Sequence, residues 1–413
     1  MFHKLNFKIK EKWYILLILP LVLIIGLEVA TESKIYSGMD EASHFDYVNY
    51  LIEERKLPIV EQPLDFEELN IDGANPNTIP HHNQHEAAQP PIYYLLSSIT
   101  GGFSTDIYTR LIVLRIQGVV LILLSILFLT KTYRLLCKRE ILIKNDYLFY
   151  SILTLFVLSP SFLKIMIPVN NEHLLVLLMS ILTYMVVYLS STKKVNAKQS
   201  ILLGVLVGAI MLTKLTSVYV VIIIMILYIS KKWIWQLLIL GITALLIVSP
   251  WVDFNVDNYQ SITGMDKHIE IVYPIVNSTN YDYGLEDLMQ SIPVMFSYTW
   301  FRGGQELVET MISSFLSFWL FLSLIYSLFQ RKSSLLRSLA LFIVANLIIL
   351  MILTLNSNIS VMIGRYMFMN LAAFTLIFYY FTTSIIYKRY FKYVATILLI
   401  CNVILSISFL KNI

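Results

Sequence analysis

The residues able to do chemistry in this sequence are a few acids, histidines and cations set beside long apolar runs. Asp40 and Glu41 are adjacent, and His44 follows one helical turn later. Paired carboxylates with a nearby imidazole suit a general base or a divalent-metal site. Asp40 also stands where it could cap the helix that follows. A further acid, Glu172, lies in Asn170-Asn171-Glu172-His173. The cations Arg110, Arg115, Lys214 and Arg365 stand at the ends of apolar runs. His81, His82 and His85 fall within five residues, but their spacing fits no structural zinc pattern and no thiolate is near. A solvated polar loop is the expectation there. Carboxylates beside cations at one membrane surface would serve a lipid-phosphate-linked donor. Cations bind the phosphate, and a carboxylate takes a proton from an acceptor hydroxyl.

The elements that must hold these groups are apolar helices. Of 413 residues, 57% are hydrophobic and 14% charged, and the mean hydropathy is +0.70. Soluble domains carry about 25% charge. Apolar runs near the ~20 residues that span a hydrocarbon core as helix occur at 13–30, 111–130, 148–163, 171–190, 201–213, 215–230, 233–250, 311–329, 338–355, 363–386 and 393–410. The sequence thus predicts an all-α polytopic membrane protein with about eleven transmembrane helices. The stretch 201–230 is split at Lys214, because a lysine at mid-bilayer costs about 2.5–3.5 kcal/mol. Residues 41–52 place Phe45, Val48, Leu51 and Ile52 on one face. They are expected to form an amphipathic surface helix. Residues 90–104 begin with Pro90-Pro91 and include Gly101-Gly102, so a helix on the outer surface is expected there too.

Orientation follows from the basic residues. With the N-terminus inside, the segments 1–12, 131–147, 191–200, 231–232, 330–337 and 388–392 hold 20 of the 31 Lys and Arg but only three acids. The positive balance is a topology signal and implies no nucleic-acid partner. The first run reads as a retained anchor. Cys137 and Cys401 lie too far apart in this topology to form a disulfide. One membrane domain, 1–413, is expected, with extracytoplasmic loops at 31–110 and 251–310. The second loop is rich in aromatics, among them Trp251, Tyr259, Tyr273, Tyr281, Tyr283, Tyr298, Trp300 and Phe301. These suit either sugar stacking or an interface belt.

Five short motifs occur in a telling order. They are Asp40-Glu41-x-x-His44-Phe45-Asp46-Tyr47, Gln89-Pro90-Pro91-Ile92-Tyr93-Tyr94, Asn170-Asn171-Glu172, Thr213-Lys214-Leu215-Thr216 and Gly364-Arg365-Tyr366-Met367-Phe368. In this order the chain resembles the GT-C superfamily of membrane glycosyltransferases. It is most similar to the bacterial branch of protein O-mannosyltransferases and the lipid A aminoarabinose transferase. The resemblance spans about 36–370. It implies a glycosyltransferase that takes a sugar from a polyprenyl-phosphate donor to an acceptor outside the cytoplasmic membrane, with inversion. It assigns Asp40 as base, with Glu41 and Glu172 as further catalytic acids. Lys214 and Arg365, with Arg110, would bind the donor phosphate. His44, Gln89, Tyr93, Asn171 and Tyr366 would line the cleft. No cofactor is assigned; if a divalent ion takes part, its candidate ligands in this sequence are Asp40, His44 and Glu172. Two departures stand out: Glu172 replaces the more usual Asp, and Ala88 stands where relatives often have His. The competing classes are a lipid-linked glycan polymerase or ligase, a transporter or flippase of envelope precursors, and a non-catalytic scaffold. Inverted repeats and midplane charges would mark a transporter, and neither is evident in the sequence.

Overall fold

The computed structural model describes residues 2–410 apart from 37, 39, 66–68, 70, 72–83, 277–285, 288–299, 302–306, 331–332 and 358–363. The described residues form an all-α protein. Eight helical segments are long and apolar enough to cross a membrane: Tyr14–Glu32, Ile107–Lys138, Glu172–Ser190, Ile234–Tyr259, Leu307–Leu328, Ser334–Leu355, Arg365–Ile385 and Lys388–Ser406. Asp146–Val157 and Pro160–Met166 make a ninth if the 56° bend between them lies within one broken span. The bend falls where Ser159 Oγ accepts from Phe162 N at 3.3 Å and Pro160 has no N–H to donate. The runs at 201–213 and 215–230 give shorter helices, Ala197–Met211 and Leu215–Ser230. The expected eleven crossings are therefore eight by length, nine with the bent pair, and two short helices.

The α-helices are numbered along the chain as α1 (Phe2–Glu32), α2 (Glu41–Glu54), α3 (Ile92–Gly101), α4 (Ile107–Lys138) and α5 (Asp146–Val157). There follow α6 (Pro160–Met166), α7 (Glu172–Ser190), α8 (Ala197–Met211), α9 (Tyr219–Ser230) and α10 (Ile234–Tyr259). The last are α11 (Met265–Val276), α12 (Leu307–Leu328), α13 (Ser334–Ser357), α14 (Leu371–Ile385) and α15 (Phe391–Leu410). Helix α10 runs on through Pro250 to Tyr259, so the first nine residues of the expected loop 251–310 are helical.

Helix α4 packs along α7, α8 along α10, and α5 along α15. Gly204 and Gly208 explain the close approach of α8 to α10. A Cβ would stand 2.6 Å from the Leu240 carbonyl oxygen at the first and 2.8 Å from Ile247 Cβ at the second. Two small residues four apart let helix backbones meet closely in lipid. Other faces turn large apolar side chains outward, such as Leu17, Leu245 and Leu246, as surfaces in contact with hydrocarbon do.

The expectation for α2 needs correction. It is no surface helix, since Glu41 through Asn49 are all buried. Its acids Glu41 and Asp46 can be buried because each has partners. Asp46 accepts from Gln84 Nε2 at 2.6 Å and from Asp65 N at 2.9 Å. Helix α3 fits its expectation better: Tyr93, Tyr94, Ser97 and Gly101 face inward while Leu95, Leu96 and Ile99 are exposed.

Burial pushes the Asp46 carboxyl up to about 6, against the pull of its hydrogen bonds from Asp65 and Gln84. The folded protein then holds that proton more tightly than the unfolded chain. Its contribution to stability should fall as pH rises from about 4 to 6 and level off above. The share due to Asp46 is about 3 kcal/mol. Melting of the solubilised protein across pH 4 to 7 checks this. Asp46→Asn should flatten the fall, and an unchanged slope would contradict the assignment.

The loop entering α2 is equally constrained. A Cβ on Gly38 would lie 2.2 Å from Pro168 Cβ and 2.6 Å from its Cγ. A proline ring cannot swing aside. Gly38→Ala should displace the segment that carries Asp40 and lower the folded yield in size-exclusion chromatography.

Candidate functional site

Four segments distant in sequence converge at the C-terminal end of α1. They are the start of α2, the start of α7, the break between α8 and α9, and a 3-10 turn at Gly364–Asn370. The break centres on Lys214, whose backbone is extended (φ −160°, ψ 128°). Ile92 N donates to Leu212 O at 3.1 Å, so the Pro-Pro helix α3 docks on the same break.

Asp40 occupies the N-cap position of α2 in the left-handed region (φ 61°, ψ 9°), yet its side chain makes no capping bond. Its carboxylate instead accepts from Arg365 Nη2 at 2.8 Å. Arg365 Nε stands 4.0 Å from Glu172 Oε1. Glu172 in turn accepts from Lys214 Nζ, and Lys214 also reaches Asn171 Oδ1 at 3.3 Å. The Tyr366 ring lies beneath both cations, 4.6 Å from Lys214 Nζ and 5.1 Å from the Arg365 guanidinium carbon. Asn171 Nδ2 donates to Thr213 O at 3.2 Å and lies 3.5 Å from Gln89 Oε1. Asp40, Glu172, Lys214 and Arg365 thus form one chain of charge, with Asn171, Gln89 and Tyr366 beside it. The Glu172, Lys214 and Arg365 side chains are 2%, 6% and 11% exposed, against 30% for Asp40. Asp40 is the acid of this chain that solvent or substrate can reach. Arg365 Nε is buried with no hydrogen-bond partner among the described residues, a donor left for an anion.

Three expected site residues lie elsewhere. Glu41 is fully buried and takes two 2.8 Å bonds from Arg115, plus one from Val169 N at 3.0 Å. Its acceptor capacity is used in holding the fold. Arg110 donates to Asn49 Oδ1 at 3.0 Å and to Ser104 O, bracing α2 against the start of α4 away from Lys214. Tyr93 is fully buried in the core beneath the site and packs edge-on against His173.

A second cluster adjoins Asp40. Gln84 tethers a 3-10 turn, His85–Ala88, and donates to Ser43 O at 2.9 Å. That turn buries His85 and Glu86. The solvated loop expected at His85 is therefore corrected, while His81 and His82 lie outside the described residues. His85 Nε2 is 3.2 Å from Glu86 Oε1, and His44 Nδ1 is 3.6 Å from Glu86 Oε2 and 2.8 Å from the Tyr94 hydroxyl. From α11, His268 Nδ1 lies 2.9 Å from the His85 carbonyl oxygen. Burial alone would raise the Glu86 carboxyl, but His44, His85 and His268 outweigh it and hold it well below the usual range. Burial pushes His44 down, against the opposing pull of Glu86. Burial also presses His85 down, but its hydrogen bond to Glu86 wins and raises it. Glu86 Oε2 is buried without a hydrogen bond.

Asp40, His85 and Glu86 bring one ligand atom each within 4.8 Å of one another. Two carboxylates and an imidazole suit a divalent ion, and the orphaned Glu86 oxygen is what such an ion would satisfy. The expected metal set changes accordingly. Asp40 stays, His44 is a neighbour bonded to Tyr94, and Glu172 is bound to Lys214. Glu86 and His268 were missed because nothing in their spacing marks a 3-10 turn or a contact between loops. The aromatic loop residues split. Trp300 and Phe301 are fully buried against Phe156, with Trp300 also packed on Phe162 and Phe368, so they offer no stacking surface. Tyr281, Tyr283, Tyr298 and the Tyr273 side chain lie outside the described residues.

No protein-family model, curated protein or solved structure matches this chain.

Proposed function

We propose that this chain is a membrane glycosyltransferase that moves a sugar from a polyprenyl-phosphate donor to an acceptor hydroxyl. The observation that carries the reading is the part-exposed Asp40 carboxylate held 2.8 Å from Arg365, beside the buried Lys214 and Glu172. A base next to cations able to hold a phosphate is the arrangement an inverting displacement needs. Asp40 takes the proton of the acceptor hydroxyl as its oxygen bonds to the sugar's anomeric carbon. The bond from that carbon to the phosphate oxygen breaks, and the electron pair leaves with polyprenyl phosphate. Arg365 and Lys214 bind that phosphate through charge-assisted bonds. Glu172 orients Lys214, and Glu41 serves the frame through Arg115. A divalent ion held by Asp40, His85 and Glu86 would supply further positive charge near the leaving group. The basic-residue bias supports a cytoplasmic N-terminus with this site on the outer side, and the resemblance to the bacterial branch suits an envelope enzyme.

The test is transfer by the purified full chain in nanodiscs. It uses a panel of radiolabelled polyprenyl-phosphate sugars with envelope extract as acceptor. Transfer or slow donor hydrolysis is expected, and folded protein inert toward every donor would overturn the reading. Metal binding has its own readout. Mn2+ should bind the purified protein by electron paramagnetic resonance, and Glu86→Gln should weaken it at least about tenfold.

A further inference from the structure

A cavity of about 320 Å³ lies at the opposite end of the bundle, lined by Tyr14, Asn145, Tyr147 and Lys392. Three helices build it: Tyr14 on α1, where its span-length apolar part begins, Asn145 capping α5 and Lys392 in the first turn of α15. Its walls are fixed. Tyr14 packs on Tyr147 and Tyr150 with ring centroids 6.0 and 5.9 Å apart. The Tyr147 hydroxyl lies 3.2 Å from Thr396 Oγ1, and Asn145 N donates to the Tyr133 hydroxyl at 2.9 Å. Among the described residues, the exposed Lys392 is the only charged group in the lining and forms no ion pair. The segments around it, 131–147 and 388–392, carry eight Lys and Arg against two acids, Glu140 and Asp146. An anion is the ligand this end favours.

The surroundings say which kind. Leu16 and Leu17 on α1 are 58% and 65% exposed, and Ile397 and Ile400 on α15 are 58% and 53%. The cavity sits where this apolar surface meets the polar end of the bundle. A soluble phosphate has no use for such flanks, whereas a lipid's acyl chains do. We infer that this cavity seats the phosphate headgroup of an anionic phospholipid, with Lys392 as its counter-ion and the chains lying along α1 and α15. Basic pockets between membrane helices select such headgroups by charge, and phenol and amide groups can donate to the phosphate oxygens. The site is independent of the catalytic reading.

The test is native mass spectrometry of the full chain released from detergent. The protein is titrated separately with phosphatidylglycerol, phosphatidylcholine and inorganic phosphate. Phosphatidylglycerol should be retained in preference to both. Lys392→Gln should weaken its binding about fivefold, while Lys388→Gln, outside the cavity lining, should leave it unchanged. Equal retention of phosphatidylcholine, equal binding of inorganic phosphate, or no effect of Lys392→Gln would overturn the assignment. An equal loss in Lys388→Gln would do so too, because the attraction would then be diffuse surface charge. Both variants alter surface lysines, so folding is preserved.

Discussion

Asp40→Asn should lower sugar transfer by about 10²- to 10⁴-fold, the usual contribution of a positioned general base, while the protein folds and melts nearly as before. Asparagine is the right replacement for a backbone reason. Position 40 sits at φ 61°, and Asn is among the few side chains that tolerate the left-handed region. Asp40→Ala would mix strain with chemistry. The stability cost of Asn is small, because the carboxylate is 30% exposed and such pairs contribute about 1 kcal/mol or less. A carboxylate that only oriented Arg365 would be served in part by the Asn oxygen, and donor KM would rise with little change in kcat. A base lost from the reaction gives the reverse split, with kcat falling steeply. Wild-type kcat from Asp40→Asn would remove Asp40 from the chemistry and leave Glu172 and Glu86 as the acids to examine.

The contrast between Asp40 and its neighbour shows what the sequence could and could not reveal. Apolar runs mark the helices because burial in hydrocarbon acts on every residue of a span alike. The break at Lys214 was legible because a lone lysine in an apolar run carries a large cost unless the helix ends there. Lys214, Arg365, Glu172 and Asp40 could be grouped because topology alone sends them to one surface. What lay beyond reach was the direction of each side chain. Asp40 and Glu41 are adjacent, yet one meets Arg365 across 325 positions and the other meets Arg115 across 74. No local period encodes such partners. The same limit hid the burial of α2. An acid-rich helix reads as a surface one until Arg115, Gln84 and the Asp65 amide are found facing its acids.

Arg115→Met should therefore be the most destructive single change for stability. The Arg115–Glu41 pair is essentially shut off from solvent, with side chains 1% and 0% exposed. Removing one partner of a buried pair strands the other charge, at about 3–5 kcal/mol, against a total stability of about 5–15 kcal/mol for typical domains. Arg115 does more than pair. Its guanidinium also donates to the carbonyls of Ala30, Ser33 and Lys34 at 3.1, 2.9 and 2.9 Å. These lie at and just past the end of α1, where carbonyls lack helical partners. The variant should give little monodisperse protein in size-exclusion chromatography, and what remains should melt well below wild type. Replacing both residues, Glu41→Leu with Arg115→Met, removes the stranded charge and should recover part of the loss, a coupling that a double-mutant cycle reads directly. Recovery should stay partial, because the α1 carbonyls remain without their donor. If Arg115→Met folds like wild type, the pair is not the frame that sets Asp40. If it fails as expected, activity and folding are lost together here, whereas Asp40→Asn loses activity alone. That divergence between consecutive residues is what separates the acid that faces the substrate from the acid that fixes its place.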